Sequence, residues 1–318
     1  MRIAIGQFRE LDHDLLTFAT QLGASGVVLN TPVLPGAYRW EVEDLRRLRD
    51  RVEEYGLRVE ALENTPVTFY DKVMLGLPGR DEQIEHYQAT IRNMGRAGIH
   101  VLGYHWMPNG VWRTSYTTPG RGGAQVSSFD LEHVRDAAPT HERVYTADEM
   151  WQNYAYFVRA VVPVAEEAGV TLALHPDDPP VPSLGGVARL FGSFDGFKRA
   201  MEMASSANSG LDFCMGCWSE MGPGALEAMR YFGERGHITY VHFRDVQGTV
   251  PAFQECFIGE GNVDVVEAMR TLKRVSFGGF MIDDHVPLMI GDTGWGYRGR
   301  AYATGYMAGL LKAVNKLA

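Results

Sequence analysis

Four short runs in this chain carry side chains able to hold a metal ion or move a proton. They are His175-Pro-Asp177-Asp178, Cys214-Met-Gly-Cys217, His242, and Asp283-Asp284-His285. Two imidazoles, a thiolate and a carboxylate suit a borderline divalent ion such as Zn, Fe, Co or Mn, and the thiolate argues against Mg or Ca alone. The candidate donors are His175, Cys214, His242 and either Asp284 or His285. Taken singly, each has a plainer explanation. A lone His at a strand end is as often a hydrogen-bonded structural residue, and Asp beside proline usually caps a turn, which suits Asp177 and Asp178. Cys-x-x-Cys also builds structural zinc sites and redox pairs, but the chain has no second such motif and no thioredoxin-like context. Cys214 is the expected ligand, Cys217 a buried neighbouring thiol, and Cys256 a core residue.

The elements that must position these groups are legible in the hydrophobic periodicity. Strand-like apolar runs at 2–8, 26–29, 57–62, 100–104, 171–174, 209–213, 238–242 and 278–282 alternate with amphipathic, helix-spaced segments at 11–22, 41–55, 80–97, 147–168, 195–204, 223–235, 263–272 and 299–316. Eight alternations predict an α/β fold, a single (β/α)8 TIM barrel forming one domain over 1–318. The candidate donors then fall at the C-terminal ends of strands five to eight, which are neighbours in a barrel and share one rim. Joint placement is what raises them above isolated residues. Between 106 and 146 the periodicity lapses into Pro-Asn-Gly and Thr-Thr-Pro-Gly-Arg-Gly-Gly, a long loop insert after strand four of the kind that serves as a lid or a disordered insert.

Composition removes several classes of function. A net charge of −9 disfavours nucleic acid and anionic membrane surfaces, both of which require a basic face. No stretch reaches the ~18–20 apolar residues of a membrane span, and Met-Arg-Ile-Ala-Ile-Gly-Gln-Phe reads as a first strand rather than a signal peptide. Three cysteines fit a reducing cytoplasm better than a disulfide framework. The glycine-rich runs at 120–123 and 259–261 match neither phosphate-binding fingerprint, and there is no Gly-x-Ser-x-Gly elbow. A small-molecule substrate is the expected partner; a homodimer suits a barrel of this size, although no residue pattern demands it.

With these residues in view, the chain resembles the mannonate dehydratases, metal-dependent barrels of hexuronate breakdown in the xylose-isomerase-like group. The resemblance runs through Leu75-Gly-Leu-Pro-Gly-Arg-Asp, Ile91-Arg-Asn93, Tyr104-His-Trp-Met-Pro108, His175-Pro-Asp-Asp-Pro-Pro180, Gly210-Leu-Asp-Phe-Cys214, Val241-His-Phe-Arg-Asp-Val246 and Asp284-His285. It implies His175, Cys214, His242 and Asp284 as ligands of Mn2+, with Fe2+, Co2+ or Zn2+ as substitutes. The implied reaction takes water from D-mannonate, or a close aldonate, to give 2-keto-3-deoxy-D-gluconate. Such a dehydration removes the proton at C2 and expels the C3 hydroxyl, so it needs charge stabilisation together with a base and an acid. His285 and, second to it, Tyr297 are the candidates for moving the protons. Asn64, His105, Arg113, Asp177 and Arg244 are the candidates for holding the sugar acid, with the two arginines suited to its carboxylate.

The chain departs from the family pattern in one place. The family carries Arg-Pro before its Asp-His pair, where this chain has Met281-Ile282-Asp283, and Arg298 or Arg300 is the expected replacement cation. Other readings stay open. A metal-dependent sugar isomerase or epimerase of the same barrel group would act on a neutral sugar. A barrel that only binds a sugar acid, or a zinc hydrolase, is further off.

Overall fold

The computed structural model describes residues 1–316. Eight parallel strands alternate with eight helices and close into a barrel. The strands are β1 (Arg2–Ile3 and Ile5–Phe8, broken at Ala4), β2 (Gly26–Asn30), β3 (Arg58–Glu63), β4 (Val101–Tyr104), β5 (Thr171–Leu174), β6 (Ser209–Cys214), β7 (Ile238–His242) and β8 (Phe280–Ile282). The helices are α1 (His13–Gln21), α2 (Val42–Glu53), α3 (Arg80–Ala97), α4 (Ala147–Ala168), α5 (Phe194–Met203), α6 (Ala225–Glu234), α7 (Val265–Arg274) and α8 (Tyr297–Lys316). The break in β1 closes the ring: Arg2 lies opposite Phe280 of β8, whereas Ile5 lies opposite Val27 of β2. No helix is long and apolar enough to cross a membrane among the described residues.

The strands read as apolar runs because both of their faces are covered. Val27, Val28 and Leu29, like Leu172, Ala173 and Leu174, are buried whichever way their side chains point. Outward-facing residues pack under the helix ring. Inside, Ala4, Val28, Ala61 and Ala173 leave room for the stacked rings of Tyr240 and Phe280, 5.0 Å apart, a pair that contributes about 0.5–1.5 kcal/mol beyond its buried area. Helix α4 owes its clean bounds to local chemistry. Thr146 and Glu149 cap each other's backbone at its start, and Gly169 turns left-handed at φ +62° to end it.

The segment after β4 departs from expectation. It is not a plain loop: Ser115–Pro119 and Gln125–Asp130 form an antiparallel hairpin. A second hairpin after β7, Val246–Thr249 and Ala252–Glu255, pairs with it, Phe253 opposite Phe129 and Gln254 opposite Ser128, to give a four-stranded sheet. Phe129, Val181, Leu184, Val246 and Phe253 form its own apolar core, with Trp112 packed against it. Polar, glycine-punctuated strands such as Ser115–Pro119 lack the burial on two faces that makes barrel strands conspicuous. The pairing that joins the two hairpins, Ala252–Glu255 against Gln125–Asp130, also spans more than a hundred residues. Because both hairpins leave from strand ends, the sheet covers the C-terminal side of the barrel, where the candidate donors lie.

Candidate metal centre

Barrel register brings the four donors together. Cys214 ends β6 directly beside His242, which ends β7. His175 follows β5 and is fixed by its backbone N–H to the Tyr104 carbonyl at 2.8 Å. Asp284 lies two residues past β8 and holds φ at +53°, a left-handed conformation that costs a non-glycine residue energy and is met most often at functional positions. One donor atom from each of His175, Cys214, His242 and Asp284 lies within 4.8 Å of the other three.

The rings are oriented as a metal requires. Nε2 of His242 lies 2.8 Å from Glu63 Oε2; a carboxylate accepts, so Nε2 carries the proton. Nδ1, buried and without a hydrogen bond, is left facing Asp284 Oδ2 at 3.3 Å. His175 donates Nδ1–H to the Pro176 carbonyl at 2.7 Å, leaving Nε2 as its donor atom. A carboxylate or carbonyl behind each imidazole is the usual support of a metal-bound histidine. This orphaned nitrogen, and a donor set of two imidazoles, a thiol and a carboxylate, fit a divalent ion.

Electrostatics prepare the same set. Burial alone would push His175 down, but the Asp212 carboxylate and the Cys214 sulfur raise it to about 10. His242 is raised against its own burial by Asp212, Asp284 and Glu63. Burial opposes ionisation of Cys214, yet the Cys217 thiol, Arg244 and the two imidazoles hold it well below the usual thiol range. Asp284 is held low, against burial, by His285, His242 and Arg244. Burial pushes Asp212 up to about 8. The cluster therefore concentrates negative charge that, without an ion, is met by protons on the two rings.

Beside the cluster opens a cavity of about 370 Å³ whose walls include Gln7, Arg113, Glu255, Asp284, His285, Trp295 and Arg300. His285 is the titratable side chain of that wall next to the donor cluster that reaches the cavity, its side chain about a third exposed. Its Nδ1 lies 2.9 Å from Glu255 Oε1, and Nε2 is 3.7 Å from Asp284 Oδ1, beyond hydrogen-bond reach. Glu255 arrives on the second hairpin.

Several expected substrate contacts are committed elsewhere. Arg113 spends all five N–H groups inside the protein. Nε bonds Ser127, Nη1 the Trp112 carbonyl and Asp178 Oδ1, and Nη2 Asp178 Oδ2 and Glu255. Arg244 is likewise saturated: Nε to Asp284 at 2.8 Å, Nη1 to Glu220 and Glu255, Nη2 to Asp178 and the Cys217 sulfur. Neither has a donor left for a substrate carboxylate. Gly216 makes room for this network; a Cβ there would lie 2.3 Å from Arg244 Nη1. Asp177 turns away from the cleft, accepting from the Phe191 N–H at 2.6 Å with Arg189 3.7 Å off, and burial raises it to about 6.

His105 Nδ1 accepts from the Met107 N–H, and burial, then the charges of His175 and Arg189, lower it to about 3, so it is a neutral ring. Asn64, at φ +62° just past β3, keeps a buried Oδ1 with no partner. Tyr297, the other candidate for moving protons, is not among the residues lining this cavity. Its ring packs edge-on against Phe18 and Trp295, and its hydroxyl feels Asp12 and Asp14 at the start of α1. The residue of that segment lining the cavity is Trp295, not Tyr297. Sequence reasoning passed over Glu63, Asp212 and Glu255. An acidic residue within an otherwise apolar strand, as in Gly-Leu-Asp212-Phe-Cys, was the available signal.

The fold and this cleft define a (β/α)8 barrel with a metal-competent donor cluster at the C-terminal ends of its strands. L-ribulose 3-epimerase shares the fold at TM-score 0.64 and 16% identity, covering 99% of this chain and 96% of its own. The family model for D-mannonate dehydratase (UxuA) matches residues 1–146 and 140–318, and the chain belongs to that family of hydro-lyases. A mannonate dehydratase of Thermotoga petrophila is 30% identical over 93% of this chain and 92% of its own length. Mannonate dehydratase 2 of Halalkalibacterium halodurans is 28% identical over 99% and 100%. The crystal structure of mannonate dehydratase from Streptococcus suis serotype 2 superposes at TM-score 0.89 with 28% identity, covering 100% of this chain and 95% of that one.

Proposed function

We propose that this enzyme removes water from D-mannonate, or a close aldonate, to give 2-keto-3-deoxy-D-gluconate in the cytoplasmic breakdown of hexuronates. His175 Nε2, Cys214 Sγ, His242 Nδ1 and one Asp284 oxygen would hold the ion, Mn2+ by family resemblance, with Fe2+, Co2+ or Zn2+ able to use the same donors. When bound, that ion supplies positive charge against the enediolate that builds up as C2 loses its proton.

The chain's own residues handle the protons. His285 is the group for this: Glu255 holds its Nδ1–H, so Nε2 is the nitrogen at the cavity wall beside Asp284. Against its burial, Asp284 and Glu255 raise the ring's affinity for a proton, so it takes one readily once in its neutral form. In our reading Nε2 takes the C2 proton, the C2–H electrons delocalise into the carboxylate as the enediolate, and they return to form the C2=C3 bond as the C3–O bond breaks. The imidazolium returns that proton to the departing hydroxyl as water, and the enol relaxes to the 2-keto acid. With both Arg113 and Arg244 saturated and Tyr297 not lining this cavity, one histidine serves as base and then acid in this reading. A cavity of this volume is within the usual range for small-ligand sites of roughly 300–1,000 Å³.

The observation that carries this reading is the juxtaposition of His285 with the four-donor cluster in a chain of this family. The test is product analysis with D-mannonate and a panel of aldonates and neutral sugars. Turnover of neutral ketoses alone would replace the dehydratase with an epimerase.

A further inference from the structure

A sugar acid brings a carboxylate into a cleft whose two most obvious cations are already fully bonded. Arg300 is different. It starts from α8, is almost wholly buried, and lines the same cavity wall as Asp284 and His285. Its Nε donates to the Trp295 carbonyl at 2.9 Å; Nη1 donates to the Asp284 carbonyl at 3.0 Å and to the Gly6 carbonyl, and lies 3.1 Å from Asp283 Oδ1. The guanidinium rests over the Trp295 ring, 4.7 Å from its centre. Nη2 makes no hydrogen bond among the described residues. The plane of the group is thus fixed by three carbonyls and a ring, with one nitrogen and its two protons left over.

The other arginines do not compete. Arg189 has unbonded Nε and Nη1, but both are shut away from solvent behind Asp177. Arg298 is exposed and is not among the residues lining the cavity. Anchoring Arg300 to the backbone of Asp284 also sets the distance between its free nitrogen and the donor cluster, so an acid gripped there is presented to His285.

We propose that Arg300 is the specificity-determining residue of the cleft, its Nη2 taking one oxygen of the substrate carboxylate and so selecting sugar acids over neutral sugars. The proposal rests on the dehydratase reading for the identity of the acid. A hydrogen bond between a guanidinium and a carboxylate, in a site sheltered from water, changes affinity by roughly ten- to a hundredfold.

The experiment compares Mn-loaded parent, Arg300→Met and Arg300→Lys for binding of D-mannonate and of the neutral polyol D-mannitol by calorimetry, with metal content measured alongside. The expected result is a ten- to a hundredfold loss of D-mannonate affinity in Arg300→Met, unchanged D-mannitol affinity, and full metal. Arg300→Lys keeps a positive charge for folding but cannot present a second nitrogen, and should lose a smaller part of the preference. An acid-to-polyol ratio unchanged in either folded variant overturns the proposal, as does equal loss of both ligands. Should the parent prefer acids through Arg300 yet release no keto acid from D-mannonate, the dehydratase reading falls and this assignment stands. Should the parent turn over D-mannonate while its acid preference survives in Arg300→Met, the assignment falls and the dehydratase reading stands.

Discussion

Glu255 Oε1 accepts a hydrogen bond from His285 Nδ1 at 2.9 Å, joining the accessory sheet to the partly exposed histidine at the cavity wall beside the donor cluster. Arg113 and Arg244 also bond Glu255 and, against its burial, hold it as a carboxylate. The sheet therefore sets which ring nitrogen of His285 faces the cavity. Glu255→Asp keeps the negative charge for both arginines but withdraws the oxygen from His285 by about one carbon–carbon bond. We expect kcat to fall roughly 10- to 100-fold with KM and metal content little changed. Steady-state kinetics with metal analysis decides it, and unchanged kcat would remove Glu255 from the account.

The support of His242 gives a second prediction. Glu63→Gln replaces an obligate acceptor with an amide that can also donate, so the tautomer of His242 is no longer imposed. Metal affinity is expected to drop roughly 10- to 100-fold, read by competition with a chelator. Equal affinity in parent and variant would show that the Glu63 contact merely fills the barrel.

Packing beneath the cluster gives a third. A methyl at Gly216 would press on the buried Arg244 guanidinium, at 2.3 Å from Nη1 and 2.6 Å from Cζ. Overpacking of this kind costs about 1–3 kcal/mol, and a displaced Arg244 leaves Asp178, Glu220 and Asp284 short of their shared cation. Gly216→Ala should lower the denaturation midpoint and weaken metal binding together. Loss of neither would mean the network has slack that the contacts do not suggest.

Metal uptake should depend on pH with a defined sign. In the metal-free protein His175 is raised to about 10 and His242 is raised as well, so at neutral pH both rings carry a proton that an incoming ion must displace. Cys214 and Asp284, both held low, have none to give. Affinity therefore rises with pH through the neutral range and levels off only near the raised value of His175. Each proton released adds roughly tenfold per pH unit. Calorimetry in buffers of different ionisation enthalpy counts those protons, and uptake without release would contradict the charge state described here.

Much of the barrel was legible because its signals are local. Helices 80–97 and 147–168 and strands 171–174 and 238–242 have the bounds their periodicity and their flanking caps predict. The meeting of His175, Cys214, His242 and Asp284 follows from four strands ending on one rim. The accessory sheet was illegible, since Gln254 pairs with Ser128 and neither strand is apolar enough to stand out alone. Arg113 and Arg244 had the right chemistry for a carboxylate, but their residue type does not disclose that Asp178, Glu220, Glu255 and Asp284 consume their donors. Tyr297 was read as a rim residue, but nothing in its sequence context disclosed that its ring packs edge-on against Phe18 and Trp295 at the start of α8.

The most direct measurement is product formation by protein stripped of metal and reloaded with Mn2+, incubated with D-mannonate, for the parent, His285→Ala and His175→Ala. The account predicts 2-keto-3-deoxy-D-gluconate from the parent. His285→Ala should keep its metal yet lose at least about 10²-fold in rate, and His175→Ala should lose both metal and rate. Metal-loaded parent that leaves D-mannonate and every other aldonate untouched, or His285→Ala that works as fast as the parent, would contradict it.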